Sequence, residues 1–378
     1  MEEKGSSLPI YVKIQNPDTI TNNSNFIIEG TMIPKPLERT FKDFILLREK
    51  LIERWPGIVI PNLSLKENLD IRVNMLNSFC SKLYQIKYLF DSEEVKIFLK
   101  ESNDYNKSLN SLEKKNYDSI LKKYSGIFIA YDDNFDAQYE KVEQDKFYKN
   151  LIDNFNNLGQ LKNLIYTTRE KYKLNHNYFN VIENIFSLYE TDLLKNYSNN
   201  DDSKLIFSNK NNSELENKLK IYHEECKNPF DNLYISITED YLNTLSLKEG
   251  IESINNLQNE YDKTAKIFTE KNSEVIDLQS GKTTLKTFFS FKSRETDINN
   301  AISEKDKIEK NLSFLKNIIN VCIFNMQTEI INFKYKSIES YYNELQKLEE
   351  ELENNLKIEN KLWENILEDN NIKSIKND

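Results

Sequence analysis

The apolar positions of this chain change period early, and the change marks two kinds of structure. Ile10-Tyr11-Val12-Lys13-Ile14 alternates and is rich in β-formers, which predicts a strand. Phe26-Ile27-Ile28-Glu29-Gly30-Thr31-Met32 predicts a second, with Asn-Pro and Asn-Asn turn signals between them. From Phe41 the spacing becomes helical: Phe44, Leu47, Leu51 and Ile52 lie three or four apart. Trp55-Pro56-Gly57 stops that helix, and Ile58–Leu63 reads as extended. Ile71, Met75, Phe79 and Leu83 mark another helix, and Val95, Phe98 and Leu99 a last short one.

Past the polar run Glu101–Asn106 the helical period dominates. One pattern runs from about 135 to 197, with Phe147, Leu151, Phe155, Leu158 and Leu161 on one stripe. A polar break follows at Ser198–Ser213. A second pattern runs from about 214 to 278, bent near Asn228-Pro229, where proline removes a hydrogen bond. The loop Gln279–Asp297 separates it from a third, about 298 to 367, whose late stripe is Ile338, Tyr342, Leu345, Leu348, Leu352, Leu356, Trp363 and Ile366. At ~1.5 Å per residue each pattern makes a rod of ~90–105 Å. Such rods pack side by side, which predicts an all-α, antiparallel three-helix coiled coil that dimerises.

Composition agrees. Seven Gly and seven Pro in 378 residues are too few for a turn-dense β-sandwich. The net charge of −10 is uneven: residues 9–100 hold 13 Lys and Arg against 11 Asp and Glu, residues 101–378 hold 37 against 48. A sequence pI near 5.2 leaves no basic footprint for nucleic acid, so no such partner is expected. No apolar run approaches the ~18 residues of a membrane span. Met1-Glu2-Glu3-Lys4-Gly5 lacks the apolar core of a secretory signal, so a cytoplasmic location is expected. Cys80, Cys226 and Cys322 lie far apart among apolar residues and read as buried thiols in a reducing compartment. His176 and His223 lie in polar helical stretches and read as solvated faces. There is no phosphate-cradling glycine loop, HExxH or CxxC. No catalytic residue, metal or cofactor is expected, and the chain is not expected to be an enzyme.

Residues 41–72 carry a specific pattern. Phe41-Lys42-Asp43-Phe44-Ile45-Leu46-Leu47-Arg48 is followed by Pro56-Gly57-Ile58-Val59-Ile60-Pro61-Asn62-Leu63, then Lys66, then Arg72 with Phe79 seven residues on. In this order the motifs resemble the phox-homology (PX) domain over about residues 8–103. Three very long helices after such a domain resemble a BAR domain, with Asp133-Asn134-Phe135-Asp136 similar to the start of its first helix and Glu329–Phe333 through Trp363 similar to its last. Together they resemble the sorting nexins of the PX–BAR type. The resemblance implies an α+β PX domain at 1–105, a linker with an amphipathic helix at 106–130, and a dimerising BAR domain at 131–370.

The same resemblance implies a phosphoinositide site, phosphatidylinositol 3-phosphate foremost. Phe41 would stack on the inositol ring, Lys66 would contact the bridging phosphate, Arg72 the ring hydroxyls, and Arg39 is the candidate for the remaining phosphate. The family places Arg directly before the aromatic, where this chain has Thr40. On an extended backbone adjacent side chains point to opposite faces, so Arg39 would then miss the pocket. Only five residues separate Lys66 from Arg72, where the family has a long loop. The implied role is membrane-curvature sensing or remodelling in endosomal sorting and vesicular transport, peripheral on endosomal membranes. Implied partners are a second copy or another sorting nexin, and a retromer-type cargo complex. The rival is a protein-docking coiled-coil scaffold whose PX domain has lost lipid binding.

Two surface features stand apart. In the linker, Leu112, Tyr117, Ile120, Leu121 and Tyr124 share one helical face flanked by lysines, which suits either a membrane interface or packing across the domain junction. The loop from Gly281 to Arg294 carries Lys282, Lys286, Lys292 and Arg294 with Phe288, Phe289 and Phe291 and no acid. Placed at the coiled-coil tip, it suits an anionic leaflet, with a protein partner or local packing as the alternative.

Overall fold

The computed structural model describes residues 8–14, 25–64, 69–101, 105–114, 116–128, 136–194, 213–281 and 294–369. Contacts divide the chain into two compact units, Met1–Phe155 with Leu242–Tyr335, and Asn156–Tyr241 with Lys336–Asp378. Packing thus unites segments that composition separates near residue 105.

The first unit opens with β1 (Tyr11–Ile14), β2 (Asn25–Glu29) and β3 (Leu37–Thr40), an antiparallel sheet in that order. Val12 pairs with Ile28, and Phe26 with Arg39. Period-2 alternation turns Val12, Phe26, Ile28 and Leu37 inward. Asn77 finishes the outer edge of β1 as a neighbouring strand would: its side-chain oxygen accepts from the Val12 N–H (2.6 Å) and its amide donates to the Val12 carbonyl (2.9 Å). Six short helices follow: α1 (Phe41–Arg54), α2 (Leu69–Gln85), α3 (Lys87–Phe90), α4 (Glu93–Phe98), α5 (Tyr105–Asn110) and α6 (Tyr117–Ser125).

α1 shows how sequence sets position. Thr40 starts it: the Asp43 carboxylate accepts from the Thr40 N–H (2.7 Å) and hydroxyl (2.9 Å), as at a capping box. Phe44, Leu47 and Leu51 bury one stripe, and Phe44 meets Phe26, Phe79 and Phe98 edge-on. Trp55 ends the helix before Pro56, and Gly57 takes a left-handed φ of 78°.

That turn is also a docking point. The long helices are α7 (Ala137–Tyr189, continued by a π-helical turn Glu190–Leu194), α9 (Phe230–Gln279) and α10 (Arg294–Asp369), with α8 (Ser213–Glu225) before α9. A Cβ on Gly57 would lie 2.5 Å from Cys322 Sγ, and one on Gly250 would lie 2.8 Å from Met326 Cε. The Gly57 N–H donates to Ser253 Oγ (2.8 Å), Arg48 pairs with Glu249, and Asn62 donates to Glu249 (3.3 Å). One continuous core therefore runs from Ile10 through Trp55, Tyr124 and Ile254 to Ile330. Lys271 bridges Glu274 and Glu304, and Val275 and Leu278 pack with Ala301, so α9 and α10 are antiparallel here. Burial pushes the Cys80 thiol up to about 12 and the Cys322 thiol further, so both stay protonated at neutral pH.

The second unit is helical in its described residues except at 226–229. α7 and α9 run antiparallel, Tyr166 lying against Tyr234 and Arg169 against Asp231. α9 and α10 do likewise, Asn232 pairing with Glu351 and Ser236 with Ser340. The expected bend at Asn228-Pro229 is a full break between α8 and α9, held by side chains. Asn228 accepts from the Phe230 N–H (3.1 Å) and donates to the Arg169 carbonyl (3.0 Å). Buried Asn355 donates to the Lys227 carbonyl (2.7 Å) and the Tyr172 hydroxyl (2.8 Å). Cys226 and His223 depart from expectation. Cys226 is half-buried with the Tyr172 hydroxyl 3.9 Å away, and half-buried His223 sits edge-on to Tyr222.

Candidate functional site

The structure brings two of the four sequence-designated headgroup residues together. Phe41 is the first residue of α1, half-buried against the core. Arg72, in the first turn of α2, holds its guanidinium carbon 5.0 Å from the Phe41 ring centroid, a cation–π stack. An aromatic face beside a fixed guanidinium can pack a sugar-like ring and bind a phosphate or hydroxyl at its edge. Lys66 lies outside the described residues.

Arg39 is a correction. Its side chain turns inward beside Leu37, following the alternation of β3, and is 7% exposed. Its guanidinium donates to the Phe98 carbonyl (2.8 and 3.1 Å), the Lys100 carbonyl (2.8 Å) and the Glu38 carbonyl (2.7 Å). Its flat faces lie 5.5 Å from Phe98 and 4.8 Å from Tyr105. Arg39 staples β3 to the end of α4: four of its five N–H donors go to main-chain carbonyls, and its burial holds the guanidinium in the core. Thr40 caps α1 and supplies no cation.

The linker helix is present as α6, and its apolar face is covered. Ile120 and Tyr124 are buried, Tyr124 stacks on Trp55 and donates to the Pro56 carbonyl (2.7 Å), and Tyr117 donates to Glu260. In the described residues this face packs against Trp55, Pro56 and Glu260. Burial first, then the bond to Glu260, raises the Tyr117 hydroxyl well above its ordinary value.

At the other end, Gly281 (φ 91°) closes α9 and α10 begins at Arg294. Lys282, Lys286, Phe288, Phe289, Phe291 and Lys292 lie outside the described residues, as does the Arg294 side chain. What the structure gives is their frame: the paired ends of α9 and α10, pinned by Val275, Leu278 and Ala301.

Sequence reasoning missed a buried ionic cluster. Arg54, 3% exposed in its side chain, pairs with Glu94 (1%), with Glu93 (2.7 Å) and with the Glu113 carbonyl. Burial pushes the Glu94 carboxyl up, but bonds from its own backbone N–H and from Arg54, with the charges of Lys123 and Arg54, outweigh it and hold it below its ordinary range. An Arg in the last turn of a helix looks like a dipole partner, so nothing in the local pattern marks it. It also missed how much apolar surface the second unit leaves open. Leu164 is 64% exposed on α7, and Tyr342 is 71% exposed on α10, with Ile338, Leu345 and Leu356 on the same helix and Leu174, Ile185 and Leu188 on α7.

Among the described residues no helix is long and apolar enough to cross a membrane, and no cluster of His, Cys, Asp and Glu is placed to hold a metal. No family model and no curated protein matches the sequence. The fold is recognisable: the cryo-EM structure of the SNX-BAR Mvp1 tetramer superposes with a TM-score of 0.60 at 17% identity, over 95% of this chain and 100% of that one. The chain therefore has the fold of a SNX-BAR protein, mostly helical with a small antiparallel sheet near its N-terminus.

Proposed function

We propose that this chain, having the fold of a SNX-BAR protein, is a membrane-remodelling sorting nexin that self-associates and works peripherally on phosphoinositide-bearing endosomal membranes. The shared fold over 95% of the chain carries the reading. The exposed apolar faces of α7 and α10 support self-association, because soluble monomers rarely leave such stripes uncovered. The Phe41–Arg72 pair supports a headgroup site. An inositol phosphate there would rest on Phe41 and bond to Arg72, with Lys66 as a further cation. With Arg39 committed to the core, affinity rests on fewer cations than the family pattern supplies. Membrane residence then depends on the dimer presenting two such sites and two tips at once. Cargo recycling through tubules, with a retromer-type complex or another sorting nexin as partner, is the process such a device serves.

Arg39 and Thr40 favour a second reading. A PX fold without the phosphate-gripping Arg suits a scaffold that docks proteins and leaves membrane contact to the helices.

Co-sedimentation of the full chain with liposomes separates the two. Vesicles containing phosphatidylinositol 3-phosphate should bind it and form tubules by electron microscopy. Arg72→Gln should lower that binding at least ~10-fold, since a charge-assisted bond contributes ~1.5–3 kcal/mol. Binding that ignores both the phosphoinositide and Arg72 selects the scaffold reading.

A further inference from the structure

We infer that Glu249, on α9, is a positioning residue for the headgroup site. It acts not on the ligand but through Arg48 and Asn62, which set the elements that carry Phe41 and Arg72. The inference rests on the headgroup reading proposed above and deepens it: support for the site comes from a long helix, far along the chain from the two site residues. Phe41 opens α1 and Arg72 lies in the first turn of α2. The stack between them is therefore only as firm as the placing of one helix against the other.

Side-chain bonds tie those helices together through the run Gly57–Leu63, which leaves α1 and leads on toward α2. Arg48 lies two helical turns beyond Phe41 on α1, on the same face and ~10 Å further along. Its Nε donates to the Pro61 carbonyl (3.0 Å), and its terminal nitrogen pairs with Glu249. The other carboxylate oxygen of Glu249 accepts from the Asn62 amide (3.3 Å), whose own oxygen accepts from the Leu63 N–H (2.8 Å). Glu249 thus holds both sides of the joint, α1 through Arg48 and the run toward α2 through Asn62. α9 supports the same elements beside it. The Gly57 N–H donates to Ser253 Oγ (2.8 Å), a Cβ on Gly250 would lie 3.1 Å from Val59 Cγ2, and Lys82 of α2 donates to Asn243 (2.8 Å).

The charges make the arrangement depend on Glu249. The Arg48 side chain is 13% exposed, so its cation is largely out of water and needs its carboxylate partner. With Glu249 neutral, the guanidinium turns toward solvent and the Pro61 carbonyl loses its donor. Recognition tolerates little of this, because a binding constellation works only while supporting bonds hold it within ~0.5 Å of the productive geometry. The sign of the effect separates positioning from charge. Removing an anion from the chain strengthens the attraction for an anionic headgroup. Losing the support of Arg48 weakens binding instead. The two accounts predict opposite outcomes for one substitution.

The probe is water-soluble dibutanoyl phosphatidylinositol 3-phosphate, titrated into the full chain by isothermal calorimetry at ~0.15 M salt, with the melting temperature as folding control. The wild-type chain should bind it, and Arg72→Gln should lose at least ~10-fold in affinity. Glu249→Gln should weaken binding ~3–10-fold. Glu252→Gln removes the same charge from α9 one turn on, where Glu252 pairs with Lys248 and Tyr148, and should not weaken it. On an Arg72→Gln chain, Glu249→Gln should change nothing further, since it acts through a stack already lost. Should Glu249→Gln lower the melting temperature, Asn62→Ala takes its place, leaving the Arg48 pair intact, and should weaken binding ~2–3-fold with the same dependence on Arg72. Binding by Glu249→Gln as tight as wild type or tighter, or a loss that persists undiminished on the Arg72→Gln chain, would overturn the inference and leave the headgroup reading standing. A wild-type chain that ignores the probe, or an Arg72→Gln chain that binds it like wild type, would overturn the headgroup reading and this inference with it.

Discussion

Replacing Arg54 by Met tests the energetics of the first unit. The guanidinium reaches three acceptors on two segments: Glu94 and Glu93 at the start of α4, and the Glu113 carbonyl before α6. Met matches the length of the Arg stem, so the change removes charge and donors with little change in packing. Glu94, 1% exposed, is then left as a buried carboxylate without its cation. Breaking one side of a buried pair costs ~3–5 kcal/mol. With a urea slope of ~2–3 kcal/mol per molar, the unfolding midpoint should fall by ~1–2 M. Trp55 reports it: the chain has two tryptophans, so a Trp363→Phe background leaves fluorescence from the residue next to Arg54. Arg54→Met with Glu94→Leu should recover most of the loss, because an apolar pair of similar volume needs no compensating charge. The pH dependence has a definite sign. Glu94 is held below its ordinary range, so its contribution is complete above the unfolded carboxylate pKa and is lost as pH falls through the lower folded value. In Arg54→Met that acid-side loss should shrink, since the bond and charge of Arg54 that help hold the Glu94 carboxyl down are gone. A midpoint shift below ~0.3 M, or a double variant no better than Arg54→Met, would refute the assignment of Arg54 as the tie between α1, α4 and the α6 segment.

Three further outcomes follow from the same geometry. Gly57→Ala should destabilise the first unit by ~1–3 kcal/mol, through a left-handed φ and a Cβ 2.5 Å from Cys322 Sγ, and Cys322→Ala should restore only the steric part in thermal melts. Light scattering of the wild-type chain should report about twice 44.8 kDa, and Tyr342→Asp with Leu356→Asp should halve it with helicity intact by circular dichroism; a wild-type monomer would leave only a heterodimer. Phe288→Asp with Phe289→Asp should reduce vesicle binding and tubulation without loss of helicity, each buried aromatic being worth up to ~1.5–3 kcal/mol, and unchanged tubulation would assign those residues to a protein partner or local packing.

The helices were legible because their signal is long-range and repeated. The patterns read at about 135–197, 214–278 and 298–367 correspond to α7, to α8 with α9, and to α10. Pro229 marked the break between α8 and α9, because a proline cannot donate into the ladder. What the pattern could not say is which apolar residues are covered. Leu161 reads as core like Leu151, yet Leu151 is buried and Leu161 is exposed in the single chain. Periodicity reports that a face is apolar, not whether its cover comes from the same chain or another. The third strand, Leu37–Thr40, was missed because Leu-Glu-Arg-Thr is too short and too polar to show a period of its own.

Arg39 marks the limit for the site. Alternation alone argues that Arg39 and Thr40 face opposite ways on an extended strand, and they do. Where the guanidinium goes depends on the Phe98 and Lys100 carbonyls, 59 and 61 residues further along, which no local window contains. The same reasoning separates Arg72 from Arg54. All three arginines look alike in sequence, each a cation beside an apolar run. One staples a strand, one pairs with a buried and an exposed carboxylate, and one lies stacked on an aromatic ring at the edge of a helix. Only the last has the geometry that a phosphate ligand needs, an anchored cation with a face of apolar surface beside it. The candidate site thus rests on Phe41 and Arg72, and an arginine that motif spacing would enlist is excluded because the fold buries it and already uses four of its five donors.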